Sequence, residues 1–366
     1  MALCLAFLFP QSGWANLDAP LAIYEGEEIA NPLRQTTIFR SLQRDSILEL
    51  TIETDLKKLI KGIAREDYQK ALLTYKNVDG STQEHLIQVR PRGKSRRKIC
   101  DFPPIKLKFK KSHLERAGMN PEYNDLKMVT HCFSSRLSEQ KLLREYLAYQ
   151  MYQTVAEESF RTQLVRIKYV DSQNRMKTIE KYGFILENNE EMADRLGGRL
   201  IKTYNLQQNQ MQQPQYRELC LFQYMIGNTD WRLDLLHNLK VVRPVDGTSP
   251  IAVAYDFDFS GWVDTEYAIP NPDYPLFNVK DRLFICDCTS NKELDEVIVN
   301  FIDKKEEMLE IVQNFELIHR KDRKELTKYL NTFFKTLDSP KASQKAFIEQ
   351  VSESSKVKFG EREDLR

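Results

Sequence analysis

The sequence predicts an α+β protein in which a smaller, antiparallel β-rich lobe precedes a larger, mainly helical one, with a cleft between them. Three observations predict it. The first third alternates apolar and polar residues with period two. From Ser138 the apolar positions recur at helical spacing, and after residue 188 helical segments flank a single strand pair. The divisions fall at 1–15 (a candidate signal peptide), 16–187 (the β-rich lobe with one long helix), 188–337 (the helical lobe) and 338–366 (a polar, mobile tail).

In chain order, residues 17–45 read as an extended opening segment punctuated by Pro20 and Pro32. Residues 46–53 alternate as a half-buried strand, and a short helix is expected over Leu56–Ile63. Strands at 70–76 and 85–89 flank Val78-Asp79-Gly80, a hairpin-type turn. Ile105–Phe109 alternates again. The long helix carries Leu142, Leu143, Tyr146, Leu147 and Met151, with Ser138 as N-cap and Glu139 in its first turn. Strands at 163–170 and 182–186 follow. Gln207–Gln215 reads as a surface connection, and an apolar helix over 216–226 stops at Gly227. Strands at 238–242 and 251–257 precede a loop marked by Pro270, Pro272 and Pro275, and helices occupy 292–337.

The chain has 366 residues, 41% of them hydrophobic, enough for one large domain or two unequal lobes. A formal charge of +1 favours neither nucleic acid nor an anionic membrane as a bulk partner. No run approaches the ~20 apolar residues that span a bilayer. Met1–Phe9 is a short apolar run with Gly13 and Ala15 beyond it, which reads as an export signal although a basic start is missing. Without Cys4, five cysteines remain, so at least one thiol stays free. Cys100 and Cys132 are open to pairing with each other or with Cys286 and Cys288, and the lone Cys-x-Cys is a weak zinc signal.

Chemistry concentrates late in the chain. Asp230 follows the helix-stopping Gly227, which lets its carboxylate project into a cleft. Asn238 offers an uncharged oxygen suited to a hard cation. Asp256 emerges after the apolar run Ile251–Tyr255. Acid, amide and acid in this order suit a site that handles a nucleophile's proton and magnesium-bound phosphates. The run from Arg92 to Lys111 holds nine Lys/Arg against Asp101 alone, and serves either to bind phosphate or to guard a strand edge.

The Asp230, Asn238, Asp256 order resembles the atypical kinases grouped with the spore-coat CotH proteins and, more distantly, HipA. Arg92-Gly93-Lys94-Ser95 leading to Lys106 and Lys108, the segment Leu143–Tyr149 and the strand Tyr182–Glu187 look like that group's motifs in the same order, across roughly residues 46–265. The resemblance is nearest to a secreted bacterial branch. It implies a two-lobed atypical protein-kinase-like fold and Mg2+-dependent phosphotransfer from ATP to a protein or other hydroxyl acceptor. By that resemblance Asp230 handles the acceptor's proton, and Asn238 and Asp256 hold the metal. Lys106 or Lys108 neutralises phosphate charge with Arg92 and Ser95 nearby, and Glu145, or else Glu139, pairs with the lysine. The chain departs from the pattern in three places. Trp231-Arg232 replaces an Asp-x-His spacing, Gly93 alone stands for a glycine-rich loop, and Phe257-Asp258 follows the strand acid.

Two other readings compete. Asp256-x-Asp258-x-Ser260 fits the nucleophile loop of haloacid-dehalogenase phosphatases, which requires a parallel sheet. The alternative of another class is a catalytically silent kinase-like module for binding or assembly in the cell envelope, in which Asp230 and Asp256 are structural.

Overall fold

The computed structural model describes residues 36–93, 95–288 and 290–349. The candidate signal, Cys4, Lys94 and the tail from 350 onward lie outside them. Thr37 caps a first short helix, α1 (Ile38–Leu42), by accepting the Arg40 N–H. Strand β1 (Leu48–Thr54) buries every second residue. Asp55 caps α2 (Leu56–Lys61). Strands β2 (Gln69–Lys76) and β3 (Thr82–Pro91) pair antiparallel from Lys76↔Thr82, across a turn whose Gly80 has φ +82°. Next come α3 (Arg96–Ile99), β4 (Ile105–Phe109), α4 (Lys111–Arg116) and β5 (Asp125–Thr130). The long helix α5 (Arg136–Val155) then leads to β6 (Thr162–Asp171) and β7 (Ile179–Leu186).

These seven strands close into a barrel of order β1-β2-β3-β4-β5-β7-β6, sealed by a parallel pairing of β1 with β6 from Leu48↔Val165 to Thr54↔Asp171. The two-lobed kinase-like fold expected above, with a small sheet as its N-lobe, is therefore overturned. Each strand was recognisable locally, but period-two alternation says only which face is buried, not that the sheet curls shut. The barrel is filled by Leu50, Ile52, Leu73, Val89, Leu107, Leu126 and Ile167, all essentially inaccessible. Filling by aliphatic side chains makes it a packed core rather than a channel. Every strand pair in it apart from β1–β6 is antiparallel, so the parallel sheet that the phosphatase reading requires is not present among the described residues.

The second half is built on α6 (Asn189–Arg195), β8 (Gly198–Ile201), α7 (Gln213–Ile226), β9 (Leu239–Pro244) and β10 (Ile251–Ala254). The strands form a three-stranded antiparallel sheet of order β10-β9-β8. Helices α8 (Asp295–Asp303), α9 (Lys305–Gln313), α10 (Arg320–Leu337) and α11 (Pro340–Gln344) complete it. Helix α5 belongs to this half's core as much as to the barrel. Leu143, Leu147, Met151 and Tyr152 pack into one apolar cluster with residues of α7, β9, β10 and α10.

Several expected boundaries move. Ser135, not Ser138, caps α5, because the Ser135 hydroxyl accepts the Ser138 N–H. Strand β10 ends at Ala254 and releases Asp256 into a left-handed bend. Residues beyond 338 are not all a polar tail, since Phe347 is fully buried against Tyr224 and Phe284. Strands β5 and β8 were not foreseen; β5, in particular, links β4 to β7 and is indispensable to closure. Cys100 and Cys132 form a disulfide, leaving Cys220, Cys286 and Cys288 as buried thiols.

Gly183 in β7 sits where the barrel wall has no room for a side chain. A methyl group there would lie 2.7 Å from Ile167 Cδ1 and 2.8 Å from the Val129 carbonyl oxygen, a backbone atom unable to yield cheaply. Gly183→Ala is expected to destabilise the protein by about 1–3 kcal/mol through this overpacking, read as a fall in the denaturant midpoint with an unchanged slope.

Candidate functional site

A cavity of about 370 Å3 opens where one end of the barrel meets the three-stranded sheet. That volume falls within the usual range for small-molecule sites. The turn after β3 supplies Arg92, Gly93, Ser95 and Arg96, α5 supplies Glu145 and Tyr149, and the segments around β9 and β10 supply Asp230, His237, Asn238, Asp256 and Asp258. Of the residues singled out by sequence, Asp230, Asn238, Asp256, Glu145, Arg92 and Ser95 are therefore gathered in one hollow. Lys106 and Lys108 are not. In β4 the side chains of Ile105, Leu107 and Phe109 fill the barrel, so the two lysines project outward. Lys106 pairs with Asp125 at 2.9 Å, and Lys108 lies over the Tyr68 ring. Glu139 also stands apart, accepting the Tyr182 N–H and facing Lys181.

The acidic loop is held by its own backbone. Gly227 ends α7 at φ +63°, a conformation in which it also makes room for Tyr329, whose hydroxyl oxygen would be 2.3 Å from an added Cβ. Asn228 accepts the Asp230 N–H at 3.0 Å, and paired backbone hydrogen bonds between Arg232 and His237 close the loop. The Asp230 carboxylate contacts His237 Nε2 at 3.0 Å through Oδ1 and accepts from Asn238 Nδ2 at 3.0 Å through Oδ2. Asn238 also donates to the Asp230 carbonyl oxygen at 2.7 Å, which commits its nitrogen and leaves Oδ1 as an acceptor.

Asp256 sits at φ +65°, its N–H donating to the Tyr149 hydroxyl at 2.8 Å. Its carboxylate makes no hydrogen bond or ion pair among the described residues. Leu236 and Asn238 also have positive φ, at 49° and 50°. Left-handed backbone at non-glycine residues is costly, and its concentration on one cavity wall is a common mark of a functional site.

Beneath the cavity lies a buried charge cluster. Arg96 donates to the Thr130 carbonyl oxygen at 2.7 Å and stands 3.6 Å from Glu145, which is 2% exposed. Burial opposes the charge on Arg96, but Tyr267, Glu145, Asp258 and Asp256 around it raise its pKa. Burial pushes the Glu145 carboxyl well above the usual carboxylate range, against the pull of Arg96. Asp258 accepts from the Tyr267 hydroxyl at 2.8 Å, and burial reinforced by Asp256 raises its pKa to about 7. Arg96 Nε and Glu145 Oε1 have no hydrogen-bond partner although both are buried, a condition normally met by a ligand or water.

Two lysines missed in the sequence stand behind Tyr255, near the cavity but outside its lining. Lys127 in β5 is held by Asn189 Oδ1 at 2.6 Å and lies against the Tyr255 and Phe160 rings. Burial, then Arg92 and Lys240, push its pKa well below the usual lysine range. Lys240 in β9 lies over the same Tyr255 ring, and burial together with Arg92 lowers its pKa too. The available signal was a lysine flanked on both sides by apolar residues, Leu126-Lys127-Met128 and Leu239-Lys240-Val241.

No family model matches the chain, and no curated protein matches it.

A magnesium ion fits the oxygens present. Asp256 offers an uncommitted carboxylate and Asn238 a free amide oxygen, and Mg2+ characteristically takes one or two protein ligands together with phosphate and water. Among the described residues no cluster of three or more His, Cys, Asp or Glu is arranged to hold a metal by itself, so an all-protein cage is not the pattern here. Arg92 and Arg96, which both line the cavity, fit an anionic ligand.

Asp258 gives a pH prediction. Its folded pKa lies above that of an exposed aspartate, so its stabilising contribution is complete below about pH 4 and lost as pH rises through about 7. Asp258→Asn is expected to be more stable than wild type by on the order of 4 kcal/mol above pH 8, with the difference vanishing near pH 4. Chemical denaturation across that range reads it directly.

Proposed function

We propose that this chain is a Mg2+-dependent phosphotransferase that moves phosphate from ATP to a hydroxyl acceptor on a protein or other molecule. The observation that carries this reading is the convergence of Asp230, Asn238 and Asp256 with Arg92 and Arg96 around one cavity. It does not rest on a kinase-like fold, since chemistry belongs to sites rather than scaffolds.

In this reading Asp256 and the Asn238 amide oxygen hold the metal, which when bound supplies charge neutralisation to the transferring phosphate. Arg92 and Arg96 orient the phosphate oxygens, and Arg96 keeps its direction through Thr130 and Glu145. Asp230 takes the acceptor's proton, its carboxylate fixed by His237 and Asn238. Positioning and charge do nearly all the work in such transfers. The Cys100–Cys132 disulfide supports an exported, oxidising setting, and among the described residues no helix is long and apolar enough to cross a membrane.

A silent binding module remains the second reading. The observation favouring it is that both oxygens of the Asp230 carboxylate already have partners within the chain.

Thermal unfolding with ATP, in the presence and absence of Mg2+, separates the two. Wild type is expected to gain stability only when both are added, by about 2.7 kcal/mol at a hundredfold excess over Kd. Asp256→Ala is expected to lose that gain. Asp230→Ala should keep it while losing turnover of ATP. An equal gain in wild type and Asp256→Ala removes the metal assignment, and no gain in wild type removes the phosphotransferase.

A further inference from the structure

On the far side of the helical half, α10 sorts its charges by face. Its two acids, Asp322 and Glu325, turn inward to Arg144, and Glu325 also meets Lys280. All its cations but Lys321 line the opposite side, with Arg323 committed to the Phe315 and Ile318 carbonyl oxygens. Arg320, Lys324, Lys328 and Lys335, with Lys305 from the start of α9, border a groove of about 750 Å3 whose single acidic residue is Asp338. None of these five cations makes an ion pair among the described residues; Lys305 lies over the Phe334 ring, and the other four are exposed. Elsewhere the surface is mixed: Lys111, Arg166 and Arg175 find a carboxylate nearby, while exposed Lys57, Lys70 and Lys168 make no ion pair among the described residues. What sets the groove apart in a chain of net charge +1 is the gathering of five such cations around one hollow with a single acid.

We infer that this groove is a docking site for an extended acidic peptide segment of a partner protein. The spacing favours that occupant. Arg320, Lys324 and Lys328 recur every fourth residue, about 6 Å apart along the helix, while residues on one face of an extended peptide recur every ~6.7 Å. The stripe from Arg320 to Lys335 is about 22 Å long, the reach of about seven extended residues. The lining excludes the other polyanions by chemistry. Its one aromatic residue, Phe334, is buried beneath Lys305, so no ring is free to stack on nucleic-acid bases. No exposed apolar side chain lines it to enter a bilayer, and a concave surface suits a chain better than a flat membrane.

The test is fluorescence anisotropy with a labelled peptide of about eight residues alternating glutamate and glycine, a length set by the groove. The full chain is titrated as wild type and as Lys324→Glu with Lys328→Glu. Binding to wild type that weakens about tenfold in the double variant, and that fades with added salt, is the expected result. Melting temperatures check the fold, and Lys324→Ala with Lys328→Ala carries the same test should the reversal prove unstable. Absent binding at low salt, or equal binding to wild type and variant, overturns the inference. So does a single-stranded oligonucleotide or a phosphatidylserine vesicle that binds more tightly than the peptide through the same two lysines.

Discussion

The molecule turns on one buried contact between opposite charges. Arg96 comes from the turn beside the barrel and Glu145 from the middle of α5, and each is almost wholly removed from water. Taking such groups out of solvent costs several kcal/mol per ion, and mutual attraction repays it only with good partners at hand. Here the Thr130 carbonyl and the neighbouring Asp258 and Tyr267 share the task. The pair ties barrel to helical half at the place where the cavity opens. Arg96 Nε and Glu145 Oε1 are both buried without a partner, so the contact joining the two parts is incomplete.

Helix α5 makes that contact possible. It leaves the barrel after β5, crosses the core of the second half and returns as β6. Along the way Trp262 donates to the Arg144 carbonyl oxygen, and the Arg144 side chain reaches Asp322 and Glu325 on α10. Glu145 and Tyr149 lie one turn apart on α5, so the element fixing the interior charge also receives the Asp256 N–H. Cavity geometry thus depends on a rigid rod packed on both sides, while the acids themselves sit on short bends with left-handed backbone.

Much of this was legible in the residues, and the failures have definite physical causes. Alternation located β1, β2, β3, β4, β6 and β7 to within a few residues, because each has one face in an apolar core. β5 escaped because Asp125-Leu-Lys-Met-Val-Thr130 is short and carries apolar Met128 and Val129 in succession, without clean alternation, and its lysine proved to be half-buried against Tyr255. Asp230, Asn238 and Asp256, picked out by their order in the chain, line one cavity, since Gly227 and the end of an apolar strand mark where side chains leave the core. Alternation in β4 sends the aliphatic residues into the barrel and puts Lys106 and Lys108 on its outer face, where Lys106 stands opposite Lys127 and pairs with Asp125, outside the cavity's lining. Closure of the sheet was invisible because a parallel match between segments so far apart leaves no local trace.

That match has a consequence during synthesis. More than a hundred residues separate Leu48 from its partner Val165, so at ribosomal speeds on the order of ten seconds pass between the making of one and of the other. Until then the outer flank of the first strand offers bare amides and carbonyls to any passing chain. The nascent polypeptide must shelter that flank, by a chaperone or by provisional contacts, before the ring can be shut.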